Sequence, residues 1–347
     1  MRKTSAIALI SMLLSVTSPA PAHHSPFTYF DPSQSIQVEG EISLVKWRNP
    51  HAEFRLIVKD DSGNDVTWIL ETHSVSILRR MDLSRDVIKV GDKVRAVGWP
   101  AKRGGEEIFV TNMLLPDGQE IVFDPGSKPR WSKNVAGDPS GWMVTEESLA
   151  DSDNDAEGIF HVWSTSLVRG DGNFLYENFD FPLTEKAAAS RAAFDMYTHP
   201  IIGTCKFKGM PTIMEQPYPM QFAKSHNLIL MHMEEGDTVR VFDMTPGAEV
   251  SDGAPTALGH SVGKWEGSTL LVTTTGSDWP FVDVTGVPNS AGAIYVERFA
   301  PSANGKRLDY TLTITDPQTF TTPPTFSKSW LWVPGERVAP YNCESDD

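Results

Sequence analysis

Gly259-His260-Ser261-Val262-Gly263 fits the G-x-S-x-G pattern in which serine hydrolases hold their nucleophile on a tight strand-to-helix turn. Here Trp265-Glu266-Gly267 and a β-branched stretch follow, so no helix is expected. An α/β-hydrolase also needs its acid and then its histidine later in the chain, and His260 is the last histidine. The missing partner excludes that fold, and the run is expected to form a hairpin corner with His260 as a pocket residue.

A second group of candidates lies near the amino terminus. Arg2 and Lys3, the apolar run Ala6 to Val16 and Ala20-Pro21-Ala22 have the three-part form of a secretory signal over residues 1–22. Cleavage after Ala22 would free the α-amino group of His23, and amine plus imidazole can chelate copper, which favours nitrogen donors. His24 offers a second ring. His51 and His73 are expected at one rim, because antiparallel strands place the start of one beside the end of the next. A copper site of His23, His24, His51 and His73 is thus one expectation; no other cofactor is implied.

The third group surrounds a hairpin in the second half. His226, His232, Glu234 and Arg240 flank it, with His260, Trp265, Glu266 and Glu297 in later strands. An apolar barrel with a few convergent polar groups is a common ligand site. His226, Arg240, Trp265 and Glu297 are candidate ligand contacts, and His232, His260 and Glu266 are candidate catalytic groups. The bland alternatives are a cross-strand ion pair for Glu297-Arg298 and a satisfied core residue for His232. The sequence holds no C-x-x-C, H-E-x-x-H, phosphate loop or dinucleotide fingerprint.

Positioning these groups falls to two mainly β domains. From Ser35 to about Phe123, three alternating strands, a helical stretch with Val75, Leu78 and Arg79, and two further strands follow the order of an OB-fold barrel. The domain is expected to span residues 23–123. Residues 124–157 read as a Pro/Gly-rich acidic linker. Asp151-Ser152-Asp153-Asn154-Asp155 offers alternate oxygen donors, but an EF-hand's glycine and distal glutamate are out of register. Residues 158–347 read as an antiparallel barrel or sandwich with one helix, Lys186 to Phe194, capped by Thr184.

Net charge moves from −15 to −17 once Arg2 and Lys3 are removed. Such acidity disfavours nucleic acid and anionic lipid partners. The apolar run near the start is too short to span a bilayer, which needs about 20 residues, so no membrane insertion is expected. Cys205 and Cys343 are the two cysteines, and in an oxidising compartment such a pair is more often a disulfide than a reactive site.

The chain resembles a group of exported bacterial proteins of unknown function. His23-His24-Ser25, Gly40, Trp47, Asn49-Pro50-His51, Gly63, Trp68, Glu71 and Gly91-Asp92 resemble the histidine-pair family DUF6152. Pro182-Leu183-Thr184, Cys205, Gly209, Pro211, Gly259 to Gly267, Glu297-Arg298-Phe299, Asp316-Pro317, Tyr341 and Cys343 resemble a domain often joined to it. The resemblance supports the boundaries and the disulfide and implies no activity. Together these features suggest a soluble periplasmic or secreted binding or accessory protein for a small, partly apolar ligand. A cofactor-independent lyase, isomerase or hydrolase and a copper-handling protein are the alternatives.

Overall fold

The computed structural model describes residues 26–124, 127–138, 158–165, 175–176, 179–195, 205, 207–250 and 253–343. After a short helix α1 (Pro26–Tyr29), the first domain has strands β1 (Ile36–Lys46), β2 (Glu53–Lys59) and β3 (Asp65–Glu71). Helix α2 (Val75–Arg80) precedes β4 (Lys93–Pro100), β5 (Glu107–Leu114) and the short β6 (Glu120–Val122). The sheet order is β3-β2-β1-β4-β5-β6, and a parallel pairing of β3 with β5 closes β1 to β5 into a barrel. This is the expected OB-like arrangement, with β6 added to its edge.

Alternation explains the closure. Val38 and Ile42 of β1, Phe54 and Leu56 of β2 and Ile108 and Val110 of β5 point inward and are buried together. The long β1 serves two neighbours and passes close to β2 at Gly40, where a Cβ would lie 2.1 Å from the Ile57 carbonyl oxygen. Residues 127–138 of the expected linker lie against this barrel. The Glu120 carboxylate accepts from the amides of Arg130, Trp131 and Ser132 at 2.7–2.8 Å, and Asp138 donates to the Met81 carbonyl. The acidic run Asp151-Ser152-Asp153-Asn154-Asp155 lies outside the described residues, as do His23 and His24.

The second domain contains β7 (Val162–Ser164), helix α3 (Glu185–Ala193), β8 (Met220–Ser225), β9 (Leu228–Met233) and β10 (Thr238–Asp243). It continues with β11 (His260–Glu266), β12 (Thr269–Thr275), β13 (Ile294–Pro301), β14 (Arg307–Thr315) and β15 (Thr325–Trp332). These nine strands close into a barrel, which settles the barrel-or-sandwich alternative. The helix forms where expected, with the Thr184 side chain accepting from the Ala187 amide.

An odd number of strands cannot alternate direction all the way round, so one neighbouring pair must be parallel. That pair is β10 and β11, joined only at Phe242 with Ser261 and Asp243 with Val262. The Gly259-to-Gly263 run is therefore not a hairpin corner: from His260 onward it is strand, and the turns lie at Gly259 and Gly267.

Aromatic rings pack on one another inside the barrel. Phe299 lies 5.4 Å from Phe222 and 4.9 Å from Tyr310, and Tyr310 lies 5.1 Å from Trp330. The C-terminal segment runs between the domains. The Asn49 side-chain amide donates to the Tyr341 carbonyl, and Cys343 forms a disulfide with Cys205. Helix α2 faces the second domain: its Ser76 hydroxyl donates to Glu234, and Arg80 lies 3.3 Å from Glu336.

Candidate site at the parallel seam

The β10–β11 seam opens into a groove of about 370 Å³. Its cause is a difference in strand length. Strand β10 starts at Thr238, but β11 starts at His260, opposite the middle of β10, because Gly259 has φ +67° and turns the chain away. A Cβ on Gly259 would also lie 2.5 Å from the Thr275 carbonyl oxygen, so the turn is closed to larger residues.

Val239 and Val241 project from the outer face of β10 and are 44% and 47% exposed. Leu258 and Val262 add apolar surface on the other side, while His260 and Asp243 supply polar groups. His260 Nε2 lies 2.9 Å from the Ala254 carbonyl oxygen, which fixes the ring in the loop that ends at Gly259.

Behind the groove, polar side chains lead into the barrel. Ser261 Oγ lies 2.8 Å from Thr274 Oγ1, and Thr274 hydrogen-bonds Glu297 at 3.4 Å. Arg240 donates from Nη1 and Nη2 to the two Glu297 oxygens at 2.8 and 2.6 Å, and the Tyr310 hydroxyl donates to the same carboxylate at 2.8 Å. Burial alone would lower the Arg240 pKa, but the charge and hydrogen bonds of Glu297 raise it above the usual arginine value. The Tyr310 hydroxyl is pushed well above its ordinary range by burial and by the Glu297 charge. Arg240 therefore stays charged with its charge balanced in place.

A second buried group stands on the same barrel. Lys328 Nζ donates to the carbonyls of Met214, Glu215 and Gln216 at 3.0–3.4 Å. Burial pulls Lys328 down to about 8 and pushes Glu215 up to about 7. Three carbonyl acceptors make Lys328 a cap for the short helical turn at Thr212–Glu215.

The sequence-predicted residues fall into separate places. Arg240 and Glu297 meet in the barrel, and Arg240 and His260 share the groove. His226 occupies the exposed β8–β9 hairpin tip with φ +53°. Trp265 is exposed, its ring 6.3 Å from Phe160. Glu266 is near Lys264 and Arg298 on the surface, and is six residues along β11 from His260, about 20 Å at strand rise. His232 is half-buried on the outer face of β9 beside Val239. The three catalytic candidates are thus not gathered into one site. Sequence reading missed Ser261, Thr274, Tyr310 and Lys328, whose inward positions in alternating strands are the signal that could have found them.

In the first domain His51 and His73 do share a rim, since the Ala52 amide donates to the His73 carbonyl. His51 Nδ1 donates to the Thr72 carbonyl at 2.8 Å and lies 3.2 Å from Glu71, while the His73 ring packs on Phe109. Among the described residues, no three His, Cys, Asp or Glu side chains are arranged to hold a metal ion. The copper expectation therefore gains no support from His51 and His73.

Among the described residues no helix is long and apolar enough to cross a membrane. No curated protein and no solved structure matches the chain at a significant level. Residues 10–108 match the model of a family of unknown function, DUF6152, so the first barrel is a DUF6152-like domain.

Proposed function

We propose that the protein is an exported binding or accessory protein that takes a small, partly apolar ligand in the groove beside β10 and β11. The observation that carries this reading is the placement of Val239, Val241, Leu258 and Val262 around His260 and Asp243 in one open groove. Apolar walls with a few fixed polar groups are the usual composition of a ligand site. The filled interior makes the barrel a scaffold and leaves its wall as the binding surface.

Binding is favoured over catalysis by the orientation of the polar groups. Ser261 turns inward to Thr274, whereas His260 turns outward to the Ala254 carbonyl, so histidine and serine leave β11 on opposite faces. Export is supported by the signal-like residues 1–22 and by the Cys205–Cys343 disulfide, which suits an oxidising compartment.

A thermal-shift screen of small, partly apolar compounds tests the reading, with Val262→Trp as the groove-filled control. Hits that stabilise the native protein and not the variant are expected. Hits that stabilise both equally would place binding elsewhere.

A further inference from the structure

We propose that the groove's ligand is an extended, cationic peptide segment that adds as a short strand to the uncovered edge of β10. The inference rests on the groove being the binding site and names the class of molecule it takes.

The argument begins with the direction of the β10 backbone. The Met244 amide donates to the Asn227 carbonyl at 2.7 Å, in register with the β9–β10 ladder. Antiparallel ladders alternate, so Phe242, Arg240 and Thr238 turn their amides and carbonyls to β9. Asp243, Val241 and Val239 turn theirs the other way, toward β11 and the groove.

Strand β11 covers only the end of this edge. The parallel register of Phe242 with Ser261 and Asp243 with Val262 uses the Val241 carbonyl and both backbone groups of Asp243. The Val241 amide and both backbone groups of Val239 have no backbone partner among the described residues. They line the groove, in line with β11 where that strand would continue if Gly259 did not turn away.

An uncovered run of strand edge is a template for another chain, and recognition domains use it to add a peptide strand. The uncovered length, Val239 to Val241, suits about three peptide residues, roughly 10 Å. Val239 and Val241 offer apolar surface to alternate side chains. Asp243 and Glu249 also line the groove, and Arg240 adds little opposing charge because Glu297 balances it. Together with the chain's net charge of −15, this favours a peptide carrying lysine or arginine.

The test uses a blocked pentapeptide alternating threonine, valine and lysine, titrated into the full-length ¹⁵N-labelled protein. The amide signals of Val239 and Val241 should move on binding. Val241→Pro removes the groove-facing N–H but no bond to β9, so the barrel should keep its melting behaviour. Binding should weaken roughly tenfold, as expected for losing a backbone hydrogen bond and the edge geometry. N-methylating the peptide at alternate amides should weaken it similarly on the native protein, with no variant needed.

No movement of these amides at millimolar peptide overturns the proposal. So does peptide binding indifferent to both Val241→Pro and methylation, and so does a dimer dissolved by Val241→Pro without any peptide effect. If small-molecule hits remain sensitive to Val262→Trp in those cases, strand addition fails while the groove reading stands.

Discussion

Arg240 and Glu297 face each other across the interior of the second barrel, joined by two hydrogen bonds of 2.8 and 2.6 Å with each side chain at most 1% exposed. They come from strands three apart around the wall, so the pair ties β10 to β13 behind the groove. Its geometry holds the groove's inner wall in one arrangement.

Removing one partner leaves the other charge buried. Arg240→Met alone should destabilise the protein by about 3–5 kcal/mol, whereas Arg240→Met with Glu297→Met should recover most of that loss. Urea denaturation of the two single variants and the double variant checks this. Equal losses in the single and double variants would show that the pair is not the source of the cost.

The disulfide closes a sequence separation of 138 residues and fixes the segment that runs between the domains. On the chain-entropy account, Cys205→Ser with Cys343→Ser should cost roughly 4–5 kcal/mol as an upper figure. The accompanying loss of hydrogen-exchange protection should be greatest at Ala339 and Tyr341, whose amides donate to Glu234 and Asp237. A uniform loss across both barrels is the share that acts through the unfolded chain, and no extra loss at Ala339 and Tyr341 would mean that the bridge does not fix this segment.

Burial pushes His51 down to about 4, against the opposing effect of its bond to the Thr72 carbonyl, and the Lys208 charge adds to the lowering. The folded state therefore binds the His51 proton less readily than the unfolded state. Above pH 6.5 both states are neutral at this ring. As pH falls from 6.5 to 4, the unfolded state gains the proton first and stability drops, by up to about 3 kcal/mol from this group. His51→Gln should flatten that part of the stability curve. An NMR titration placing the ring near 6.5 would remove the effect.

Strand alternation made most of the first barrel legible. Val38, Ile42, Phe54 and Leu56 announce one buried face, and the helix signal at Val75 and Leu78 falls between strands as an OB-fold requires. In the second domain Thr184 marked the helix start, and the pairing of Cys205 with Cys343 followed from compartment chemistry. β7 is only three residues long, and β8, Met220–Ser225, buries only Met220 and Phe222 before the alternation breaks at the exposed neighbours Ala223 and Lys224, so neither has a strong periodic signal.

The candidate site was legible in part. Arg240, Glu297 and His260 stood out as polar residues in apolar strands. Their grouping was not, because it depends on barrel closure. The placement of β10 beside β11, across the connection from Met244 to Gly259, is a long-range pairing that local pattern does not encode. The glycine run looked like a corner because only tertiary register shows that Gly263 sits in a strand against Val272.

Native mass spectrometry of protein purified from its own cells, beside a Val262→Trp variant, tests the binding claim most directly. The account predicts a polypeptide beginning at His23, carrying a small-molecule or short-peptide adduct that the variant lacks. An adduct retained equally by both proteins, or none on either, would contradict it.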